Sequence, residues 1–391
     1  MICPVLVGRE GALEVTRSVL DRARDGAGGI LLIAGEAGIG KSRLLRETVA
    51  SARQRGFVVL RGACFEADRN APLAPVLDLV REYSATTSRA TALHVFASAA
   101  AELVGVFPEL ASTFTELPLL ESLDPQQERR RLFHAIEETI IKLGRTQPVL
   151  IAIEDVHWGD EASLELFLHL ARRISEQPVA MVLSFRSDEV GAPLERLLAE
   201  LDRTRIATEL NLSRFSSDEI ETMLAAIFDG GTPGGGFAET MHGLTEGNPF
   251  FVEEVLKSLL STGEVSRRAD GTWQARPIGN IQAPRTAVEA VRRRLSALSV
   301  PARDVASVAA VAGRRFDFAL LQSLTGQDER ELLNHIRELI SAQLVTEESP
   351  DRFAFRHALT REAIVGELLA RERAALHRSV ADALERKGGP I

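Results

Sequence analysis

The chain of 391 residues holds only two cysteines, Cys3 and Cys64. They stand far apart and in no metal-ligand spacing, which argues against a disulfide framework or a zinc site; two reduced thiols are expected. No apolar run approaches the ~18 residues that a membrane span requires. Met1 to Gly8 has one apolar patch but no basic start and no small-residue cleavage site, so it does not have the layout of a secretory leader. A cytoplasmic protein with no membrane partner is expected. Basic charge is also scarce: 46 Lys and Arg against 55 Asp and Glu leave a net charge of -9, a poor balance for a chain that coats nucleic acid or an anionic surface. No internal repeat of roughly 30 to 45 residues is visible. What remains is 45% hydrophobic and 26% charged, the composition of a globular chain, and its length predicts two or three domains.

The stretch "ILLIAGEAGIGKSRLL", Ile30 to Leu45, carries the first chemistry. A β-branched and leucine-rich run, of the kind buried in parallel sheets, enters a glycine turn and leaves as a helix. Gly35, Gly40, Lys41 and Ser42 fit G-x-x-x-x-G-K-[ST]. Glycines let successive backbone N–H groups point inward with no Cβ in the way of a phosphate, and the following helix puts its positive end at the same place. The loop Gly35, Glu36, Ala37, Gly38, Ile39, Gly40, with Lys41, Ser42 and Arg43, is expected to wrap a nucleotide. Lys41 would reach the β- and γ-phosphates and Ser42 would ligate Mg2+.

Such a fold needs a second strand ending in carboxylates. "PVLIAIEDVHWGD" offers one, with Glu154 and Asp155 at the carboxyl end, where open parallel sheets bind ligands. Glu154 takes the metal-side position and Asp155 the water-side position. Adjacent residues on a strand point to opposite faces, so both can act only if the strand bends there. A Glu where Asp is commoner leaves open which acid does which job. A third buried strand, "PVAMVLSFRSDE", ends at Arg186, which is placed either to read the γ-phosphate or simply to face water.

"LVGRE", "GEAGIGKS", "IEDVHWGDEASLELF", "SFRSDE" and "TEGNPFFVEEVL" occur in the order found in STAND-type signalling ATPases. The chain resembles the AAA-like modules of large ATP-binding LuxR-family transcription regulators, and is similar to the module that follows the cyclase domains of soluble adenylate cyclases. The resemblance implies ATP or ADP with Mg2+. It implies Val7, Gly8 and Arg9 against adenine and ribose, and Asn248 and Pro249 touching the base from a lid. It implies His157 and Trp158 as a structural pair with Asp160 capping the next helix, and His357 reaching the ADP β-phosphate in the resting state. Adenine rather than guanine rests on the resemblance alone.

The expected fold is therefore an α/β P-loop NTPase, a parallel sheet flanked by helices, followed by a helical lid and a winged-helix domain. The boundaries read as 1–190 for the core, 191–265 for the lid, 266–284 for a hinge, 285–360 for the winged helix and 361–391 for the start of a helical extension. "SSDEIETMLAAIF" begins with an N-cap serine and acids in its first turn. The C-terminal domain reads as three helices and a hairpin. Residues 285–391 carry 17 Lys and Arg against 15 Asp and Glu, net +2, which is thin for phosphate-backbone binding. DNA is expected only through a C-terminal module beyond this chain, which reads as a piece of a longer regulator that carries repeat and effector modules. The function expected is a slow, regulatory ATPase, closed with ADP, open and self-associating with ATP. The alternatives are an AAA-type loader acting on DNA, with Arg129 to Arg131 as candidate trans-acting arginines, or a nucleotide-bound interaction module that does not turn over.

Overall fold

The computed structural model of the chain describes residues 3–66, 71–114, 123–234, 236–268, 272–275, 287–356 and 358–386. The chain forms two compact units, one of Arg9–Glu36 with Lys41–Leu212, the other of Met1–Gly8 with Ala37–Gly40 and Ser213–Ile391.

The first unit is built on a sheet of five strands: β1 (Gly29–Gly35), β2 (Val58–Ala63), β3 (Val149–Glu154), β4 (Val179–Arg186) and β5 (Ala207–Asn211). Their order is β2-β3-β4-β1-β5, and every pairing is parallel. β1 and β4 are buried along their whole length, because central strands of a parallel sheet are covered on both faces. Eight helices belong to this unit: α1 (Glu10–Arg24), α2 (Lys41–Gln54), α3 (Ala74–Thr86), α4 (Arg89–Phe96), α5 (Ala100–Val106), α6 (Pro125–Gly144), α7 (Glu161–Ala171) and α8 (Ala192–Thr204). Their apolar faces join the strands in one core that includes Leu60, Leu103, Ile151, Phe167 and Leu183. Local chemistry sets where helices begin: Asp124 accepts from the Gln126 and Gln127 amides, with Pro125 at the first helical position of α6.

The sequence reading closed this unit near 190. The sheet instead takes in β5, which pairs with β1 from Ile30↔Ala207 to Ala34↔Asn211. "ATELN" lies at the edge and is partly exposed throughout, so it has no buried apolar run by which to be read as a strand.

The second unit begins with a helical lid of α9 (Ser217–Ile227), α10 (Phe237–Thr245) and α11 (Pro249–Ser261). Ile220, Leu224, Met241, Val252 and Leu256 form its core together with Cys3, Val7 and Phe215. The expected N-cap is present: Ser216 Oγ accepts from the Glu219 amide, and the Glu219 carboxylate accepts from the Ser216 amide, a complete capping box. Cys3 and Cys64 are both buried, and neither forms a disulfide.

A short antiparallel pair follows, β6 (Val265–Arg267) with β7 (Trp273–Ala275). Beyond it lie α12 (Ala287–Ser296), α13 (Val300–Ala312), β8 (Arg315–Asp317), α14 (Phe318–Thr325), α15 (Glu329–Ser341), β9 (Val345–Ser349), β10 (Arg352–Phe355), α16 (Ala358–Glu367) and α17 (Ala370–Arg386). The three strands form an antiparallel sheet in the order β8-β10-β9. With α13, α14 and α15 it makes a winged-helix arrangement around Val305, Leu332, Ile336, Phe353 and Phe355. The sequence reading had three helices and a hairpin here; it passed over β8 and α14. In β8 only Phe316 is buried, and three residues give no period.

The joint of lid and wing buries charge. Glu254 of α11 is fully buried; it pairs with Lys257 at 2.9 Å and with Arg294 of α12. The neighbouring Glu253 accepts from the Cys3 amide at 3.1 Å and lies 4.0 Å from Lys257.

Candidate functional site

The residues singled out by the sequence gather in each unit around the end of a strand or the start of a helix. In the first unit β1 ends at Gly35, β3 at Glu154 and β4 at Arg186. In-register parallel pairing sets Gly35 beside Arg186. These are carboxyl ends of strands, the edge at which open α/β sheets bind ligands.

α2 starts at Lys41 itself, so its unpaired first-turn amides adjoin the glycine loop. Gly38 and Gly40 have φ of 79° and 108°, a region L side chains avoid. Lys41 is only 6% exposed. Its Nζ donates to the carbonyl oxygens of Gly35 at 2.7 Å and Glu36 at 2.8 Å. Burial pushes the ammonium down to about 8; Asp155 pulls it up, Arg186 pushes it further down, and Asp188 and Glu189 pull it up. An ammonium disfavoured by desolvation is restored by an anion brought beside it. Ser42 and Arg43 follow in the first turn, both half-buried; Glu36 and Ala37 are half-buried and Ile39 is buried.

Asp155 has φ 57° and ψ 45°, the bend that lets neighbouring acids at a strand end share one side. It is buried, and its amide donates to Ser184 Oγ of β4 at 3.2 Å. Glu154 lies 3.7 Å from Arg61 of β2. The two acids thus differ: the charge of Asp155 bears on Lys41, whereas that of Glu154 is shared with an arginine. Among the described residues no cluster of three or more His, Cys, Asp or Glu side chains could cage a metal ion. Mg2+ ordinarily keeps several waters and uses one or two carboxylates with substrate phosphates. Ser42, Glu154 and Asp155, at the head of α2 and the end of β3, fit that donor set, and a loop with glycine at 35, 38 and 40 fits a phosphate.

Arg186 is not a surface arginine. It is 4% exposed, its guanidinium pairs with Glu189, and it lies over the Trp158 ring at 5.0 Å. Its amide donates to His157 Nδ1 at 3.4 Å, and His157 Nε2 lies 3.7 Å from Glu189. His157 and Trp158 are both buried with ring centroids 4.5 Å apart. Asp160 caps α7 by accepting from the Ser163 amide at 3.0 Å.

Arg9, also in the first unit, is buried at the N-cap of α1. In the second unit Val7 is buried in the lid core. Gly8 has φ 62°, a conformation that favours glycine, and a Cβ there would stand 2.0 Å from a Glu219 carboxylate oxygen, which would have to move. Pro249 occupies the first position of α11, where a missing N–H costs nothing. Asn248 caps that helix and donates from Nδ2 to the Ala37 carbonyl at 3.0 Å. The resemblance sets Asn248 on the nucleotide base; its amide lies on the peptide of the glycine loop, a contact across 211 positions that no local pattern announces. His357 lies outside the described residues.

The family model of the AAA ATPase domain matches residues 5–183. An uncharacterized protein of Rhizobium meliloti is 28% identical over 98% of this chain. The peroxide stress-activated histidine kinase mak2 of Schizosaccharomyces pombe is 24% identical over 59% of it. The crystal structure of a signal transduction ATPase with numerous domains (STAND) that has a tetratricopeptide repeat sensor, from Pyrococcus horikoshii, aligns over 100% of this chain with a TM-score of 0.54 and 16% identity, which shows a shared fold. The chain spans 37% and 11% of the two curated relatives and 47% of the solved one. Residues 5–183 thus resemble an AAA ATPase domain, and the chain shares its fold with a STAND ATPase.

Proposed function

We propose that this module binds ATP and ADP with Mg2+, hydrolyses ATP slowly, and serves as the nucleotide switch of a larger signalling or transcription-regulating protein of the LuxR-type ATP-binding class. The observation that carries the reading is Lys41: a buried ammonium held on the loop's own carbonyls at the head of α2, pushed down to about 8 by burial. A group so placed gains most when a polyphosphate arrives.

In this reading Lys41 and the loop amides bind the β- and γ-phosphates. Ser42 and Glu154 would hold the metal, directly or through water, and Mg2+ would supply neutralisation of charge on the phosphate oxygens. Asp155 orients the attacking water and takes its proton. Water oxygen bonds to the γ-phosphorus as the bond to the bridging oxygen breaks, giving ADP and phosphate. Arg186, buried and held by Glu189 and Trp158, is a poised sensor that exchanges Glu189 for the γ-phosphate. Val7, Gly8 and Arg9 take the base and ribose, and Pro249 and His357 complete the resting state. ADP keeps the lid and wing closed, and ATP opens them at residues 266–284 and allows copies to associate. DNA is reached through effector modules elsewhere in the longer protein.

The test is thermal unfolding with Mg-ADP, Mg-ATP and Mg-GTP, together with phosphate release. Ligand at 100 times its Kd adds about 2.7 kcal/mol. An adenine-selective shift with slow turnover, lost in Asp155→Asn while binding persists, is expected. No shift with any nucleotide overturns the reading, and binding without turnover reduces it to a scaffold that carries a nucleotide.

A further inference from the structure

We infer that Asn248, the N-cap of α11, is a positioning residue for the phosphate loop: it fixes the peptide of Ala37 and so aims the Gly38 N–H into the cradle. The inference rests on the nucleotide-binding reading and deepens it.

Asn248 is 2% exposed and uses both ends of its amide. Oδ1 accepts from the Phe250 amide at 3.1 Å, the capping bond of α11. Nδ2 donates to the Ala37 carbonyl at 3.0 Å. A trans peptide is planar, with its C=O and N–H pointing in opposite directions, and the described chain has no cis peptide. Holding the Ala37 carbonyl toward Asn248 therefore turns the Gly38 N–H away from it, into the concave side of the loop.

The neighbours leave this peptide little freedom. A Cβ on Gly38, at φ 79°, would come within 2.8 Å of Phe250 Cβ and 3.0 Å of Asn248 Oδ1. The turn that presents Asn248 is itself fastened: the Phe215 amide donates to the Gly247 carbonyl at 2.7 Å, and a Cβ on Gly247 would stand 2.1 Å from the Phe215 carbonyl oxygen. The Asn248 amide donates to the Thr245 carbonyl at 3.0 Å. A helix cap alone needs only an oxygen, and Ser or Asp would serve as well. An amide, unlike a carboxylate, also offers a donor, and it reaches farther than a hydroxyl; here the donor has a use.

Asn248→Ser separates the two roles in the full chain. The hydroxyl keeps the cap but is too short to reach Ala37, and it adds no charge near the phosphates. Mg-ADP and adenosine are the probes, measured by calorimetric titration. The expected result is a Kd for Mg-ADP about tenfold weaker, the worth of one hydrogen bond to a positioned donor, with the Kd for adenosine unchanged and the melting temperature of the ligand-free chain lowered only by the loss of that one bond. Asn248→Asp serves if the serine variant fails to fold: it keeps the cap, removes the donor, and predicts a larger loss for Mg-ADP. Wild-type affinity for Mg-ADP in either folded variant overturns the inference while leaving nucleotide binding intact. Equal losses for adenosine and Mg-ADP also overturn it, because the loss then lies in lid packing. If wild type binds no nucleotide, both readings fall together.

Discussion

Two buried lysines, one in each unit, carry the same perturbation and opposite chemistry. Lys41 and Lys257 are both pushed down to about 8 by burial. Lys41 spends its hydrogen bonds on the carbonyl oxygens of Gly35 and Glu36. Lys257 faces Glu254 at 2.9 Å and Glu253 at 4.0 Å, and Arg356 pushes it down further while Glu253 pulls it up. Dipoles hold a charge in place without neutralising it; carboxylates neutralise it. The first arrangement keeps a cation for a ligand, and in the second the cation is already taken by acids of its own helix. A depressed lysine therefore marks a functional position only after its partners are named.

The largest way to break this comparison is Lys257→Ala. It leaves Glu254 with Arg294 alone and Glu253 with a buried charge. The expected loss is about 3 kcal/mol of unfolding free energy, the low end for orphaning a buried ion because Arg294 remains. Urea denaturation followed by helical circular dichroism measures it. A variant as stable as wild type would mean that the cluster's desolvation already offsets its attraction.

Lys41→Ala should do the reverse. Removing a cation whose desolvation outweighs the pull of Asp155, Asp188 and Glu189 should cost the ligand-free protein little, so its melting temperature stays close to that of wild type. What disappears is the shift of about 2.7 kcal/mol expected at 100 times the Kd of Mg-ADP. Destabilisation of the ligand-free variant as large as that of Lys257→Ala would erase the distinction.

How far these two positions could be read from sequence differs in the same way. "GEAGIGKS" is a local pattern, so the glycines at positive φ, the lysine at the helix start and the strand before it were all legible. The strand-end acids were legible too, since an apolar run closed by Glu154 and Asp155 has one natural place in a parallel sheet. Asp160 and Ser216 declared their helices through short-range hydrogen bonds. Lys257 carried no such sign: "VEEVLKSLL" reads as an amphipathic helix with ordinary exposed charges, and only tertiary packing turns Glu254 and Lys257 inward. The hydrogen bond of Asn248 to Ala37 carries no local sign either, because Ala37 is far away in the chain. The sequence leaves Arg186 open between sensor and surface residue, and its burial beside Trp158 is again a matter of packing. β5 and β8 were missed because partial exposure or brevity hides the period-two signal.

Acidity gives a third, smaller test. A lysine lowered to about 8 in the folded chain is held more firmly by the unfolded one, at its ordinary 10.5. Below pH 8 both states are protonated and the burial penalty is fully present; between 8 and 10.5 the folded state sheds its proton first, so stability rises with pH. Lys41 and Lys257 share that behaviour, and ligand-free stability cannot tell them apart. Nucleotide affinity can. Phosphate favours the charged form of Lys41, so binding takes up a proton above pH 8, and the Kd of Mg-ADP should weaken roughly fivefold from pH 8 to pH 9 and roughly tenfold more from pH 9 to pH 10. Lys41→Arg, charged throughout this range, should flatten the profile whatever its absolute affinity. A slope that persists in Lys41→Arg would assign the titration to another group.

The finest adjustment is Glu253→Gln. The amide oxygen still accepts from the Cys3 amide, so the only change is the charge 4.0 Å from Lys257. That charge pulls Lys257 up, and without it the ammonium should fall further below its ordinary value, toward the state of a cation with less carboxylate support. Glu254 still pairs with Lys257 and Arg294, so the cost is expected under about 1 kcal/mol, in the range of a weak ion pair. Lysine Nζ resonances across a pH titration read the shift, and thermal unfolding reads the cost. If Lys257 does not move, Glu254 alone compensates it and the two lysines differ by one carboxylate; if stability falls as far as in Lys257→Ala, the two acids and the lysine act as one unit in which no pairwise difference has meaning.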